Sequence, residues 1–568
     1  MKKLIIIMAC FLLYLFFIAP NMNAPLTPDE FCWPYAAQTF ISTGKAVDFL
    51  GWPAYWSPPV YLNMQIFLYK LLGISNLSSR LMGVFSIFVQ LILLSIFGSV
   101  LFKEQKDRLK FALLSSVLFI TTPAVIQGSL LPYEDTTFFP ALFTAFLLLF
   151  VRLKGEMSFK NIVILAPVFA ICLALKLTTP LVLILSILAY YLFNKDWKGV
   201  AQAALIAIFG IIIFIIWWAW YSWSSGLDIK GPIYYGLSAF LTKGAIDAGS
   251  SPFLGFATII ARFALWVGPY LFILALIALA VRSLGIVKRK IAEPADILVI
   301  YAILLGIGYL AVGGMSFGFP KYHYPVFPVM AILSALMFKD IWNRTGAKDI
   351  IIYALLALAA GAYFYFFIGD PIYFINFTLR EALALHGGIK NTVLPVIYKP
   401  ALYLLPVLFV YLAVNARKKH FRFSEKALVS LAIMALASNI SLDMTQRNAP
   451  YLTRYCYGEA GMEEAVQYVG KNLSRGDTVL APSDMVYYLR SAGKDVPYAK
   501  ESAWYDLENI MNSIKNPSVR FVVYSVGHND IRQFKNVITN PEFISELKTN
   551  FKLKKIGTYD TWERIFRR

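Results

Sequence analysis

Two acidic pairs in this chain stand where long apolar runs end or begin. The stretch "NAPLTPDEFCWPY" (23–35) places Asp29 and Glu30 just after the first apolar run, and "SLLPYEDTTFFPALF" (129–143) places Glu134 and Asp135 at the opening of a later one. Paired carboxylates can divide work between a general base and a metal-holding or orienting group. Ionisable groups at a membrane boundary are costly and mark function more often than chance. A plainer role is open at the first pair, where Asp29 can cap a helix through "EFCWPYAAQTF". Two cations complete the set. Lys176 lies in "CLALKLTTPLV" (172–182), at a turn between two short apolar runs, and Lys321 with Tyr322 opens another run in "GFPKYHYPVFPVMAIL" (318–333). Snorkelling to the interface accounts for each lysine singly. Together they make a set of cations for an anionic ligand. A lipid-linked phosphate is the natural anion at this depth, and lysine or arginine neutralises its charge as it leaves.

The elements that must position these side chains are mostly membrane spans. Of 568 residues, 58% are hydrophobic and 15% are charged, and the mean hydropathy is +0.62. A soluble domain carries roughly 25% charged residues. Apolar runs near 4–20, 81–102, 109–126, 137–152, 161–177, 180–193, 200–221, 258–281, 296–314, 323–341, 349–368, 400–415 and 427–441 are each read as a span. The expectation is a polytopic α-helical membrane protein with about 13 transmembrane helices. The start, "MKKLIIIMACFLLYLFFIAP", resembles a signal peptide but is long enough to stay as an uncleaved first span. The formal charge of +19 reads as loops that fix topology, since "KEQKDRLK", "RSLGIVKRK" and "NARKKHFRFSEK" each lie between apolar runs. No nucleic-acid motif accompanies it. The four cysteines form no CxxC and the four histidines no HExxH, which argues against a zinc hydrolase.

With the N-terminus placed in the cytoplasm, the cytoplasmic loops hold about twice the Lys and Arg of the opposite loops. The expected localisation is therefore a cell (plasma or inner) membrane, crossed many times, with the C-terminal domain outside the cytoplasm. Residues 1–441 form the expected transmembrane catalytic domain, with outer loops 21–80, 127–136, 222–257 and 369–399. Residues 442–568 are polar and alternate helix and strand patterns: "GMEEAVQYVGKNL", "SDMVYYLRSAG" and "SAWYDLENIMNSIK" read as helices, "DTVLAP" and "VRFVVYSVG" as strands, and "KLKKIGTYDTWERIFR" as a terminal hairpin. This is expected to be a small soluble α/β domain with neither GxGxxG nor a P-loop.

The order of "PDE", "WSPPVYL", "SRLMGVFSIF", "YEDTTFFPALFTAFLLLF", "ALKLTTPLVLIL" and "KYHYPVFPVMAIL" resembles that of the GT-C glycosyltransferases, in particular the group of protein O-mannosyltransferases and bacterial aminoarabinose transferases. The resemblance covers most of the chain in layout, and its specificity lies in the shared order of short motifs. It implies transfer of a sugar from a polyprenyl-phosphate carrier to an extracytoplasmic acceptor (protein, lipid or glycan), with inversion. It puts the general base on Asp29 with Glu30 beside it, and the second-loop acid on Asp135. Donor phosphate binding falls on Lys176, Lys321, Tyr322 and Arg80, where the pair Lys321–Tyr322 replaces a more usual Arg-Tyr. A divalent metal is left open, with Asp29, Asp135 and Glu134 as candidate ligands. One departure is Ser57, before Pro58 and Pro59, where aminoarabinose transferases usually carry a lysine; strict lipid A aminoarabinose transfer is disfavoured by it. The alternative from the residues alone is a transporter or flippase of a polyprenyl-linked or other amphipathic lipid, for which charged midplane residues and internal repeats are expected.

Overall fold

The computed structural model describes residues 2–24, 26, 32–47, 59–153, 158–225, 228, 230, 260, 263–311, 320–342, 344–367, 388–418, 420–448, 461–474, 476–481, 485–486, 488–489, 507–525 and 537–565. The chain divides into two compact units. The first comprises Met1–Met22, Tyr55–Met64 and Arg80–Tyr455, and the second Asn23–Ala54, Gln65–Ser79 and Cys456–Arg568. The last apolar helix runs to Asn448, and two stretches from the first loop group with the C-terminal residues.

In a hydrocarbon setting every backbone polar group must be satisfied within the protein, which makes helices the default for these apolar runs. In chain order the helices are α1 (Lys2–Ile18), α2 (Cys32–Thr43), α3 (Pro59–Leu72), α4 (Asn76–Leu101), α5 (Gln105–Ile120), α6 (Pro123–Ser129), α7 (Phe138–Arg152), α8 (Phe159–Leu175), α9 (Leu181–Phe193) and α10 (Trp197–Ser225). They continue as α11 (Pro269–Arg289), α12 (Ile297–Ala311), α13 (Phe327–Leu336), α14 (Ala347–Phe367), α15 (Gly388–Arg417) and α16 (Phe423–Asn448). Six described helices are long and apolar enough to cross a membrane, or seven if the bent pair α5–α6 is one span. Shorter apolar helices stand at Phe138–Arg152, Phe159–Leu175, Leu181–Phe193, Pro294–Gly306 and Leu404–Arg417. The protein is a polytopic α-helical membrane protein; its spans are more unequal in length than the sequence suggested.

Three local departures matter. The run read as one span near 109–126 breaks at Thr121–Thr122, and α6 leaves α5 at 69°. Pro123 cannot continue the ladder, and the hydroxyls of Thr121 and Thr122 donate back to the carbonyls of Val117 and Leu118, each at 2.8 Å. All of α6 is buried, so what was expected as the start of a loop at 127 is the end of an interior helix. Gly83 on α4 lets α6 approach closely: a Cβ there would lie 1.8 Å from the Ser129 carbonyl oxygen. The span read at 258–281 is divided at Gly268, whose φ of 92° suits only glycine, and α11 then runs on to Arg289.

The second unit carries the sheet. Helices α17 (Met462–Asn472), α18 (Leu507–Lys515) and α19 (Pro541–Asn550) accompany β1 (Thr478–Leu480), β2 (Val519–Ser525), β3 (Phe551–Ile556) and β4 (Tyr559–Arg564). The strand order is β1-β2-β4-β3, with β1 parallel to β2 and the other pairs antiparallel. Side chains alternate across the sheet. Val479, Phe521 and Val523 pack with Met462, Ala465 and Val469 of α17 on one face. Leu480, Val522 and Tyr524 pack with Ile510 and Ile514 of α18 and Phe543 and Leu547 of α19 on the other. Of "SDMVYYLRSAG", residues 485–486 and 488–489 are helical, and the rest of that stretch lies outside the described residues. Within the same unit, Tyr488 Oη accepts from the Leu26 amide and donates to Asn76 Oδ1, tying the first-loop stretch to the C-terminal residues.

Candidate active site

The candidate site is built in the first unit from the segment 130–137, the turn 176–180 and the 3-10 turn Lys321–Val326. The acidic segment follows α6 and precedes α7. It is clamped at both ends by α4: Arg80 Nε donates to the Leu130 carbonyl at 2.9 Å, and Ser86 Oγ to the Thr137 carbonyl at 2.5 Å. Arg80 also reaches the Met22 carbonyl at 3.3 Å and is fully buried. Inside the segment, the Tyr133 and Thr136 amides fold back onto Leu131 and Tyr133, so Glu134 and Asp135 are presented from a tight, buried loop.

Lys176 ends α8. Its backbone turns extended, and "LTTP" follows because Pro180 cannot continue the helix; α9 restarts beyond it. The Lys176 ammonium donates to both carboxylate oxygens of Asp135, which is 1% exposed against 17% for the lysine. The same ammonium lies 4.2 Å from the centre of the Tyr322 ring. Lys321 lies 4.2 Å over the Tyr133 ring and 5.4 Å from that of Tyr322. Charge-assisted pairing and cation–π contact therefore join the acid, both lysines and the tyrosine in one group. The 3-10 turn is fixed from two sides, Tyr324 Oη donating to the Val125 carbonyl at 2.8 Å and Tyr301 Oη to the Pro325 carbonyl at 3.1 Å.

Glu134 is 7% exposed. Among the described residues its Oε2 has no hydrogen-bond partner. Burial, and then the Asp135 charge, push its carboxyl up to about 8, against the opposing pull of Lys176 and Lys321. The sign follows from linkage. The folded protein holds this proton more tightly than the unfolded chain, so the stability it lends is complete below about pH 4.5 and is lost as pH rises through about 8. Melting temperatures in detergent should fall across that window, and Glu134→Gln should flatten the fall. An unchanged slope in the variant removes Glu134 as its source.

No protein-family model matches the chain, and no curated protein matches it. Solved structures do. The crystal structure of ArnT from Cupriavidus metallidurans bound to undecaprenyl phosphate superposes with a TM-score of 0.59, covering 99% of this chain and 98% of that one at 14% identity. ArnT from the same organism in the apo state gives 0.57 and 13% identity, with the same coverage. The chain has the GT-C fold. The likeness spans both units and is a likeness of fold.

Within the GT-C fold as this chain builds it, the sequence reading and the geometry meet unevenly. Asp135, Lys176, Lys321 and Tyr322, picked separately, form one cluster. Arg80 sits instead with its guanidinium on backbone carbonyls at the start of the acidic segment. Asp29 and Glu30 lie outside the described residues, as do Ser57 and Pro58. Among the described residues no three His, Cys, Asp or Glu side chains gather as metal ligands, and both oxygens of Asp135 accept from Lys176. Tyr133, Thr179, Tyr309 and His323 were not singled out by sequence. Tyr309 stacks on Tyr322 at 5.8 Å, lies 5.6 Å from His323, and shares a hydrogen bond with the Thr179 hydroxyl. The signal for Tyr133 was present, since it adjoins the "ED" pair. Tyr309 is hidden inside the apolar run "AILLGIGYLAV".

Proposed function

We propose that the protein is an integral-membrane glycosyltransferase that moves a sugar from a polyprenyl-phosphate donor to an extracytoplasmic acceptor. The observation that carries this reading is the buried Asp135–Lys176 pair with Lys321 beside it, built on a fold that ArnT, a protein solved with undecaprenyl phosphate, shares along nearly its whole length. An activated phosphate donor needs no nucleotide-binding domain. It needs a base for the acceptor hydroxyl and cations for the phosphate that departs.

In this reading Asp29 takes the proton of the acceptor hydroxyl, with Glu30 beside it. The hydroxyl oxygen bonds to the anomeric carbon while the carbon–oxygen bond to the phosphate breaks, so one displacement inverts the centre. The electron pair of that bond goes to the phosphate oxygen. Lys176, held ready by Asp135, and Lys321 neutralise the charge that builds there. Tyr322 keeps the Lys176 ammonium over its ring. Arg80 secures the loop that carries Asp135. We place the site on the non-cytoplasmic face of a cell membrane, with the N-terminus in the cytoplasm.

The test is an assay of purified protein with several polyprenyl-phosphate sugars, run with and without chelator. Consumption of one donor with release of polyprenyl phosphate is expected. If no donor is consumed while the protein moves a lipid between leaflets of a vesicle, the transferase reading is overturned in favour of transport.

A further inference from the structure

We infer that Tyr309 and Thr179 are positioning residues for Lys176, forming with Tyr322 a bracket that keeps the ammonium in place once Asp135 gives it up. The inference deepens the reading above and rests on it. The need arises from the geometry of the pair. Lys176 gives both oxygens of Asp135 an N–H, so an arriving phosphate must compete with a buried carboxylate for the same ammonium. A lysine released from that carboxylate has four rotatable bonds and would wander. Here it does not depend on that anchor alone.

The contacts close on themselves. Lys176 stands 4.2 Å over the Tyr322 ring. That ring stacks on Tyr309 with centroids 5.8 Å apart and an interplanar angle of 19°. The Tyr309 hydroxyl pairs with the Thr179 hydroxyl, and Thr179 belongs to the turn that Lys176 begins. Thr179 is 2% exposed. The turn that carries the cation is thus tied, through Tyr309, to the ring on which the cation rests. Tyr322 is further bounded by the pinned 3-10 turn, so the shelf is fixed on both edges. A cation over an aromatic face keeps its attraction while its other hydrogen bonds are exchanged. The bracket therefore preserves the position of the charge through the exchange of Asp135 for phosphate.

The experiment uses the full-length protein in detergent and reads two quantities. One is binding of undecaprenyl phosphate, with no sugar and no turnover. The other is the rate of acetylation of Lys176, followed by mass spectrometry, with and without that lipid. Tyr309→Phe keeps the stack and removes the hydroxyl; Thr179→Val removes its partner. Each is expected to weaken lipid binding about fivefold and to reduce the protection of Lys176 by a similar factor. The double variant should be no worse than either single one, because both remove the same bond. Thr179→Ser should restore binding. In the transfer assay kcat/KM for the donor should fall by at least the same factor, since Lys176 acts on the charge that builds as the phosphate leaves. Tyr309→Leu removes the shelf as well and should weaken binding further.

Unchanged lipid binding and Lys176 protection in both Tyr309→Phe and Thr179→Val overturn the inference, as do losses that add in the double variant. Wild-type protein that binds no polyprenyl phosphate overturns the proposed function instead, and the two failures are distinct. A variant that loses binding together with its melting transition counts against a positioning role.

Discussion

Lys176→Met is expected to lower kcat/KM for a polyprenyl-phosphate sugar by about 10²–10³, the loss seen when one preorganised donor to developing charge is removed. The side chain keeps its reach and loses its charge. The difficulty is that Asp135 is 1% exposed and gives both oxygens to this ammonium. Removing one partner of a buried pair costs about 3–5 kcal/mol, so a fall in activity could be a fall in folded protein. The double variant Lys176→Met/Asp135→Asn separates the two. It replaces both charges with neutral groups of similar size, and most of the stability should return. Activity should not. Recovery of both in the double variant shows that the pair is structural only. A single variant that folds and transfers sugar at the wild-type rate removes Lys176 from the donor site.

Asp29→Asn is expected to lower kcat by about 10²–10⁴, the range general base catalysis supplies, with little change in KM for the donor. Capping is the competing explanation, because Asp29 precedes α2, whose first described residue is Cys32. Asn and Ser cap helices as well as Asp does. If Asp29 serves only as a cap, Asp29→Asn and Asp29→Ser both stay active. If it is the base, both fail while the melting temperature holds, and Glu30→Gln has the smaller effect. Wild-type turnover in Asp29→Asn ends its assignment as base.

Much of the fold was legible because its main signal is length and apolarity. The long runs became helices, and "DTVLAP", "VRFVVYSVG" and "KLKKIGTYDTWERIFR" became β1, β2 and the hairpin β3–β4. What went unread was local. The break at Thr121–Thr122 lies inside an unbroken apolar run whose one warning is Pro123. Helix α19 was legible and overlooked: Asn540 caps it at 2.9 Å to the Glu542 amide, Pro541 opens it, and Phe543 and Leu547 share one face. In the site, residue types gave away the acids and the lysines, since charge is conspicuous in a greasy chain. Their pairing did not show, because Asp135 and Lys176 meet only through the packing of α7 against α8. Tyr309 and Thr179 carry no charge, and an apolar run conceals Tyr309. Arg80 was read by its place in a motif order, whereas its burial against two carbonyls is a matter of three dimensions.

The seven residues of α6 set an order on how the protein is made. Their environment is supplied by parts of the chain distant in synthesis: Tyr14 of α1 donates to Ser129, Gly83 of α4 lies against the Ser129 carbonyl, and Tyr324 of the 3-10 turn donates to Val125. Lipid offers no partner for the backbone groups freed at the break between α5 and α6. Chain order then has a consequence: α5 is complete when its own residues are translated, but the surroundings of α6 are complete only after the 3-10 turn has been made. The acidic segment follows α6 in this, so the Asp135–Lys176 pair gains its neighbour Tyr322 only when that turn is in place.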